Sequence, residues 1–444
     1  MIERRISSKG SSWKGPFVVV TSLFFMWGFI TVLVDALIPR LKDVFELELW
    51  QAGLVQFAWF GAYGLVSIPG GNLIERIGYK RGILVGLGLA GLGCLLFYPA
   101  AATRLYLIFL LALFVVASGI TILQVAANPY IAVLGEEKGA SSRLNLAQAF
   151  NSLGTTIAPL FAAGLLLSDR ILTADEQGAL SALDLEQYRS AEAAAVQGPF
   201  VGLAMAFTLL ALLLSRVQLP QILSSGGGGR SYREVLRNKR LLGGAMGIFV
   251  YVGAEVAIGS YMVNYGLDLG VASEVLKHPV LRPLVEAAAW LKGGDVSGMD
   301  AKAAIGALLT FYWGGAMVGR FVGSGLMQRW APGKILGLFA SFAAMLVVAS
   351  AVSSGILALV FLLAVGLMNS VMFPTIFTLG IEELGELKPL GSGLLCTAIV
   401  GGAFIPPLMG AIAGSGGFAL ALLLPMVCYA YIAWYGRKCV PSLD

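Results

Sequence analysis

The chain has 444 residues, of which 58% are hydrophobic and 12% charged, and it carries a net charge of +5. A soluble domain of this length dissolves through a largely polar surface, so this composition, with a mean hydropathy of +0.83, excludes the soluble globular classes. The positive charge sits in loops between apolar runs, a sign of membrane topology that gives no reason to expect a nucleic-acid partner.

Apolar runs of about 18 to 25 residues recur throughout, the length that crosses about 30 Å of hydrocarbon as a helix. Twelve spans are expected, at about 17–38, 51–74, 81–101, 105–133, 143–168, 198–216, 241–266, 303–326, 334–353, 355–381, 388–413 and 416–436. The first run is too long for a signal-peptide core and no small-residue cleavage site follows it, so it reads as an uncleaved span. The class is an all-α polytopic membrane protein.

Span 1 sets Trp27, Thr31 and Asp35 one turn apart on one face. A carboxylate inside a span costs about 2.5–3.5 kcal/mol on the mildest insertion scale, so Asp35 is expected to face a cavity and to load and release a cation. The bland alternative is an acid held by structural partners near the span end, where Pro39, Arg40 and Lys42 follow. The loop after span 2 reads "GNLIERIGYKRG" (71–82). Gly71 permits close packing there, and Glu75, Arg76, Lys80 and Arg81 supply charges that can latch one conformation; an ordinary basic loop is the alternative. In span 3, "GLGLAG" (86–91) follows no strand, so helix packing explains its glycines better than a nucleotide site.

Span 4 carries Thr121, Gln124 and Asn128, followed by Pro129. Proline removes a helical hydrogen bond, so this span is expected to break there, with a neighbour or cavity water satisfying the freed carbonyl. Span 5 carries a second polar stripe, Asn145, Gln148, Asn151 and Thr155. Neutral amides donate and accept, which matches an array of sugar hydroxyls, whereas interhelical hydrogen bonding is the bland reading. Span 7 holds Glu255 with Tyr251 one turn before it, and a second coupling site and a structural acid fit equally. Trp313 and Arg320 lie seven residues apart on one face of span 8. Trp27, Trp59 and Trp313 are mid-span, where aromatic faces can stack on a pyranose or serve as plain packing. Cys94, Cys396, Cys428 and Cys439 form no C-x-x-C pair, and His278 is the lone histidine, so no metal site or cofactor is expected.

The segment 217–240 is rich in Ser, Gly and basic residues and reads as a linker between domains 1–216 and 241–444, each with six spans. The other long loops, about 169–197 and 267–302, fall on the opposite side. Of the 30 Lys and Arg residues, 20 lie on the side of the N-terminus and linker, 9 on the other, and Arg320 lies within a span. Both termini and the linker are therefore expected to be cytoplasmic. The halves repeat: Gln124 and Pro129 in span 4 match Asn369 and Pro374 in span 10, and "GTTIAPL" (154–160) matches "GAFIPPL" (402–408). Parallel repeats of six spans predict a pseudo-two-fold along the membrane normal with a substrate site between the halves.

The motif at 71–82 resembles the signature of the major facilitator superfamily. Together with "FFMWGFITVLVDALIPRLK" (24–42), "LQVAANPYIAVLG" (123–135), "RLNLAQAFNSLGTTIAP" (143–159), "YVGAEV" (251–256) and "MFPTIFTLGIEELG" (372–385), it makes the whole chain resemble the fucose–galactose–glucose symporter family, nearest to its glucose/galactose permease-like branch. The resemblance implies the major facilitator fold, Asp35 as the coupling acid, Gln148 and Asn151 in the sugar cavity, and Phe373 as the span-10 aromatic. One departure stands out: fucose permease-like members place a proton-handling glutamate where this chain has Gln124. The expected function is import of a monosaccharide by H+ symport, with Na+ symport or uncoupled transport of a related sugar or amino sugar as alternatives. Asp35 and Glu255 are the candidate cation-coupling residues. The candidate sugar-binding residues are Gln124, Asn128, Gln148, Asn151, Asn369, Phe373, Trp313, Trp27 and Thr31. The expected setting is a bacterial inner membrane, as a monomer in contact with lipid.

Overall fold

The computed structural model describes residues 13–44, 49–165, 178–222, 231–279, 281–291 and 301–440. Hydrocarbon offers the backbone no water, so each span must satisfy its own amides and carbonyls, and helices do so. The first half consists of α1 (Lys14–Val44), α2 (Leu49–Ile77), α3 (Tyr79–Thr103), α4 (Tyr106–Val133), α5 (Ala140–Leu165) and α6 (Ala182–Arg216). The second consists of α7 (Lys239–Asp268), α8 (Ala301–Leu326), α9 (Pro332–Val352), α10 (Gly355–Asn369), α11 (Met372–Ile381), α12 (Lys388–Thr397), α13 (Gly401–Ala421) and α14 (Leu423–Lys438). Spans 10 and 11 are thus each made of two helices, and twelve spans in two bundles result.

Three departures from the sequence reading are instructive. Span 4 does not break at Pro129: α4 runs through it to Val133. The interruption falls instead in span 10, at Ser370–Val371, four and three residues before Pro374. The stretch expected to be loop up to 197 is helical from Ala182, because "ALDLEQYRSAEAAA" is built of good helix formers and Ser181 caps it, accepting from the Asp184 amide at 3.2 Å. The apolar part of α6 is confined to its second portion, Gln197–Arg216. The linker is also more than a tether, since Tyr232–Val235 forms a helical turn with Val235 wholly buried.

Within the first half, α3 and α4 cross closely. A methyl on Gly86 would stand 2.8 Å from the Leu123 amide nitrogen and 2.9 Å from the Gly119 oxygen, so the glycines of "GLGLAG" serve packing. The two halves meet along α5 with α8, α2 with α12, and α4 with α12. These contacts gather at the end of the bundle that carries the linker.

Candidate functional site

In the first half, the polar side chains of α1, α4 and α5 converge. Asn151 donates from Nδ2 to the Phe24 carbonyl at 2.9 Å, and Gly28, one turn further along α1, lies against the same amide. This brings Trp27, buried against Phe24 with ring centroids 5.0 Å apart, beside the α5 stripe. Thr31 follows on that face, its hydroxyl donating to the Trp27 carbonyl at 2.8 Å. Gln148 donates from Nε2 to Asn128 Oδ1 at 3.3 Å, joining α5 to α4. Asn128 is wholly buried and its Nδ2 has no protein partner. Gln124 donates to the Tyr63 hydroxyl at 2.6 Å, a contact that residue spacing does not reveal. Asp35 lies on α1, and its side chain is outside the described residues.

The second half holds its own polar cluster. The Tyr251 hydroxyl donates to Glu255 Oε1 at 2.7 Å. Tyr312 donates to the Glu255 carbonyl at 3.2 Å and accepts from Asn369 Nδ2 at 2.8 Å. Asn369 is fully buried and its Oδ1 has no protein partner, and the same holds for the buried Tyr429 hydroxyl. Phe373 is nearly buried, 5.9 Å from the Phe377 ring, whereas Trp313 is 46% exposed and meets Tyr312 edge-on at 5.1 Å. The second-half candidates therefore divide: Asn369 and Glu255 sit in one network with tyrosines, Trp313 packs on its Tyr312, and Phe373 packs on Phe377. Among the described residues no group of His, Cys, Asp and Glu is arranged to hold a metal ion.

Between the halves, the linker-side end is sealed by hydrogen bonds. Ser141 and Thr378 hydroxyls are 2.6 Å apart. Ser142 Oγ donates to the Ser324 carbonyl at 2.8 Å, and Ser324 Oγ donates back to the Ser142 carbonyl at 2.9 Å. Asn145 Nδ2 reaches Thr375 Oγ1 at 3.2 Å, so this member of the α5 stripe joins the halves. A methyl on Gly71 would meet the Pro389 oxygen at 2.9 Å and the Tyr232 hydroxyl at 2.5 Å; that hydroxyl donates to the Ile68 carbonyl at 2.9 Å. Gly71 is thus the tight point where α2, α12 and the linker meet. Glu75 is buried nearby, and Arg76 and Arg81 are exposed. Lys80 differs from its expected part in a latch: its Nζ donates to the Ser215 and Val217 carbonyls, both at 2.8 Å, capping α6 in its own half.

This arrangement can hold a small polar ligand between two bodies that close at one end. A model of the Major Facilitator Superfamily matches residues 16–407. The chain belongs to that superfamily. It is 47% identical over 419 residues to a glucose/galactose transporter of Brucella abortus, covering 94% of this chain and 92% of that protein. It is 34% identical over 433 residues to the L-fucose-proton symporter of Escherichia coli, covering 95% and 92%. Among solved structures, the E. coli transporter FucP in the outward conformation superposes with a TM-score of 0.85 at 33% identity, covering 97% of this chain and 100% of that one. The protein is a multi-pass membrane transporter of this superfamily and its relatives are transporters, not enzymes.

Proposed function

We propose that this protein imports a monosaccharide of the glucose, galactose or fucose type by proton symport, through alternating access between bodies 1–216 and 241–444 joined by the linker 217–240. The observation that carries the reading is the Gln148–Asn128 pair on the stripe that also holds Asn151, which leaves the buried Asn128 amide nitrogen unpartnered, with Trp27 on the α1 segment that Asn151 binds. Such amides present both donors and acceptors to hydroxyls, and a ring face receives the C–H side of a pyranose. The named sugar transporters among its relatives support the same substrate class.

In this mechanism Asp35 carries the proton and Gln124, Asn128, Gln148 and Asn151 hold the sugar from the first half. Asn369, Phe373 and Trp313 complete the site from the second, and Glu255 is the second coupling candidate. A ligand drives rocking only through its different affinities for the two states. Protonation of Asp35 supplies one such difference and a sugar touching both halves supplies another. Gln124 favours a second reading, Na+ symport, because an amide bonded to Tyr63 cannot titrate where related permeases carry an acid. The basic residues crowded on the linker side support cytoplasmic termini in a bacterial inner membrane. Uptake into proteoliposomes under an imposed ΔpH or Na+ gradient, competed by a panel of unlabelled sugars, tests the proposal. Accumulation driven by ΔpH and blocked by glucose, galactose or fucose is expected. Uptake indifferent to both gradients would leave only an uncoupled facilitator.

A further inference from the structure

Each of the two prolines that mark the repeat lies four residues after a backbone carbonyl that accepts from elsewhere in the fold. In an α-helix the amide of residue i donates to the carbonyl of residue i−4, and proline has no amide to give. Pro129, inside the continuous α4, therefore frees the carbonyl of Val125, whereas Pro374 stands in the first turn of α11 and the Ser370 carbonyl belongs to the interruption that ends α10. Both carbonyls have donors from elsewhere in the fold. Ser392, on α12 in the second half, donates from Oγ to the Val125 carbonyl at 2.8 Å, directly across the interface. Arg320, on α8, donates from Nε to the Ser370 carbonyl at 3.2 Å. The same guanidinium donates from Nη1 to Ser152 Oγ on α5, in the first half. Ser152 Oγ in turn donates to the Gln148 carbonyl at 3.0 Å, next to the proposed sugar stripe.

We propose that Ser392 and Arg320 are positioning residues of the transport cycle: Ser392 docks the second half onto the carbonyl that Pro129 leaves unbonded, and Arg320 ties the interruption in span 10 to Ser152 of the first half. This rests on the alternating-access reading above. When the linker-side end opens, α12 must leave α4 and α8 must leave α5. The Val125 carbonyl then loses its only named donor, and Arg320 keeps Ser370 but loses Ser152. A charged side chain inside a span is costly, and Arg320 is compensated by the attraction of Glu255 and by its bonds to the Ser370 carbonyl and to Ser152 of the opposite half. Pro129 thus acts by holding an acceptor open for a partner that arrives only in one state. An unbroken α4 is what this requires, since the Val125 carbonyl is presented in register while the helix continues past it.

The native thiol of Cys396 reads this closure. It lies one turn beyond Ser392 on α12, wholly buried at present, and would be uncovered as α12 separates from the first half. The experiment uses the full-length protein in nanodiscs, without sugar, and follows N-ethylmaleimide labelling of Cys396 by mass spectrometry. Ser392→Ala leaves the Val125 carbonyl buried and unpaired in the closed state only, and should speed labelling by about fivefold or more. Adding Pro129→Ala returns an amide to α4, satisfies that carbonyl within its own helix, and should bring labelling most of the way back to wild type. Ser152→Ala, which removes the cross-half acceptor of Arg320, should also speed labelling by about fivefold. Unchanged labelling in Ser392→Ala, or a double variant as fast as Ser392→Ala alone, overturns the role of the Pro129 carbonyl. Unchanged labelling in Ser152→Ala overturns that of Arg320. Failure of the wild type to take up any monosaccharide would refute the functional reading instead, and leaves these comparisons valid because they contain no sugar.

Discussion

Gly71→Ala is the smallest change that should shift the balance between the two states. The added methyl would stand 2.5 Å from the Tyr232 hydroxyl, 2.9 Å from the Pro389 carbonyl oxygen and 3.4 Å from Gly393 Cα. The tyrosine can swing away, but the Pro389 oxygen belongs to the α12 backbone and cannot. Restoring an ordinary contact there requires α2 and α12 to part by about half an ångström, and overpacking of that order costs roughly 1–3 kcal/mol. The cost applies only while the linker-side end is closed, because α2 and α12 separate when it opens. The open state should therefore gain by about fivefold to 150-fold, at 1.4 kcal/mol per factor of ten. Hydrogen–deuterium exchange of the segments 64–77 and 388–397 in nanodiscs is the assay, and faster exchange in both segments is expected. A folded Gly71→Ala protein exchanging at the wild-type rate in both would refute the view that this crossing exists only in one state.

Asp35→Asn should abolish uphill sugar accumulation in proteoliposomes while leaving counterflow exchange measurable; accumulation at the wild-type level would remove Asp35 from coupling. Gln148→Ala and Asn151→Ala should each weaken sugar binding by about tenfold, the loss of one hydrogen bond of about 1–1.5 kcal/mol, as read by calorimetry on purified protein. Unchanged affinity in both would make the α5 stripe interhelical packing. Gly78, between α2 and α3, has φ 84 and ψ 164, an essentially glycine-only conformation that costs an L-residue roughly 1–3 kcal/mol. Gly78→Ala should accordingly lower thermal stability without changing sugar affinity, and an unchanged melting temperature would contradict the strain.

The spans, the repeat and the linker were legible because apolar run length and loop charge are set by the bilayer and carry over directly into helices such as α3 and α9. The candidate site residues stand out in the sequence for the same reason: an amide or acid in hydrocarbon needs a cause. Their partners do not. Nothing in sequence spacing brings Tyr63 to Gln124, or Tyr312 to Asn369, since these pairs are 61 and 57 residues apart and meet only through packing. The break expected at Pro129 is absent although a neighbour does satisfy the freed carbonyl as expected: Ser392, 267 residues from Val125, supplies the donor while α4 continues. Lys80 was read as part of a latch from its motif, whereas the end of α6 claims it, with two free carbonyls at hydrogen-bond distance. Had the periodicity of α12 been compared with that of α4, Ser392 beside Gly393 would have been the one signal available, a small polar residue where two helices need to approach.

The exchange of an acid for Gln124 offers a direct test of how many groups on this half titrate. As it stands, Gln124 donates from Nε2 to the Tyr63 hydroxyl at 2.6 Å, so the tyrosine is the acceptor. In Gln124→Glu the carboxylate has nearly the same shape, and the Tyr63 hydroxyl can turn to donate instead. The contact survives with its direction reversed, and the fold should tolerate the change. What changes is proton bookkeeping: the pH dependence of sugar affinity reports the difference in bound protons between the free and loaded protein. With Gln124 in place, Asp35 is the only first-half candidate to contribute. With glutamate there, sugar binding measured across pH 5–9 should gain an added slope approaching one proton over part of that range. Gln124→Glu combined with Tyr63→Phe should keep the added slope but move it in pH, since the reversed hydrogen bond is gone. A binding profile superimposable on that of the wild type would mean that position 124 is insulated from the sugar site, and the weight placed on this departure from the related permeases would be misplaced.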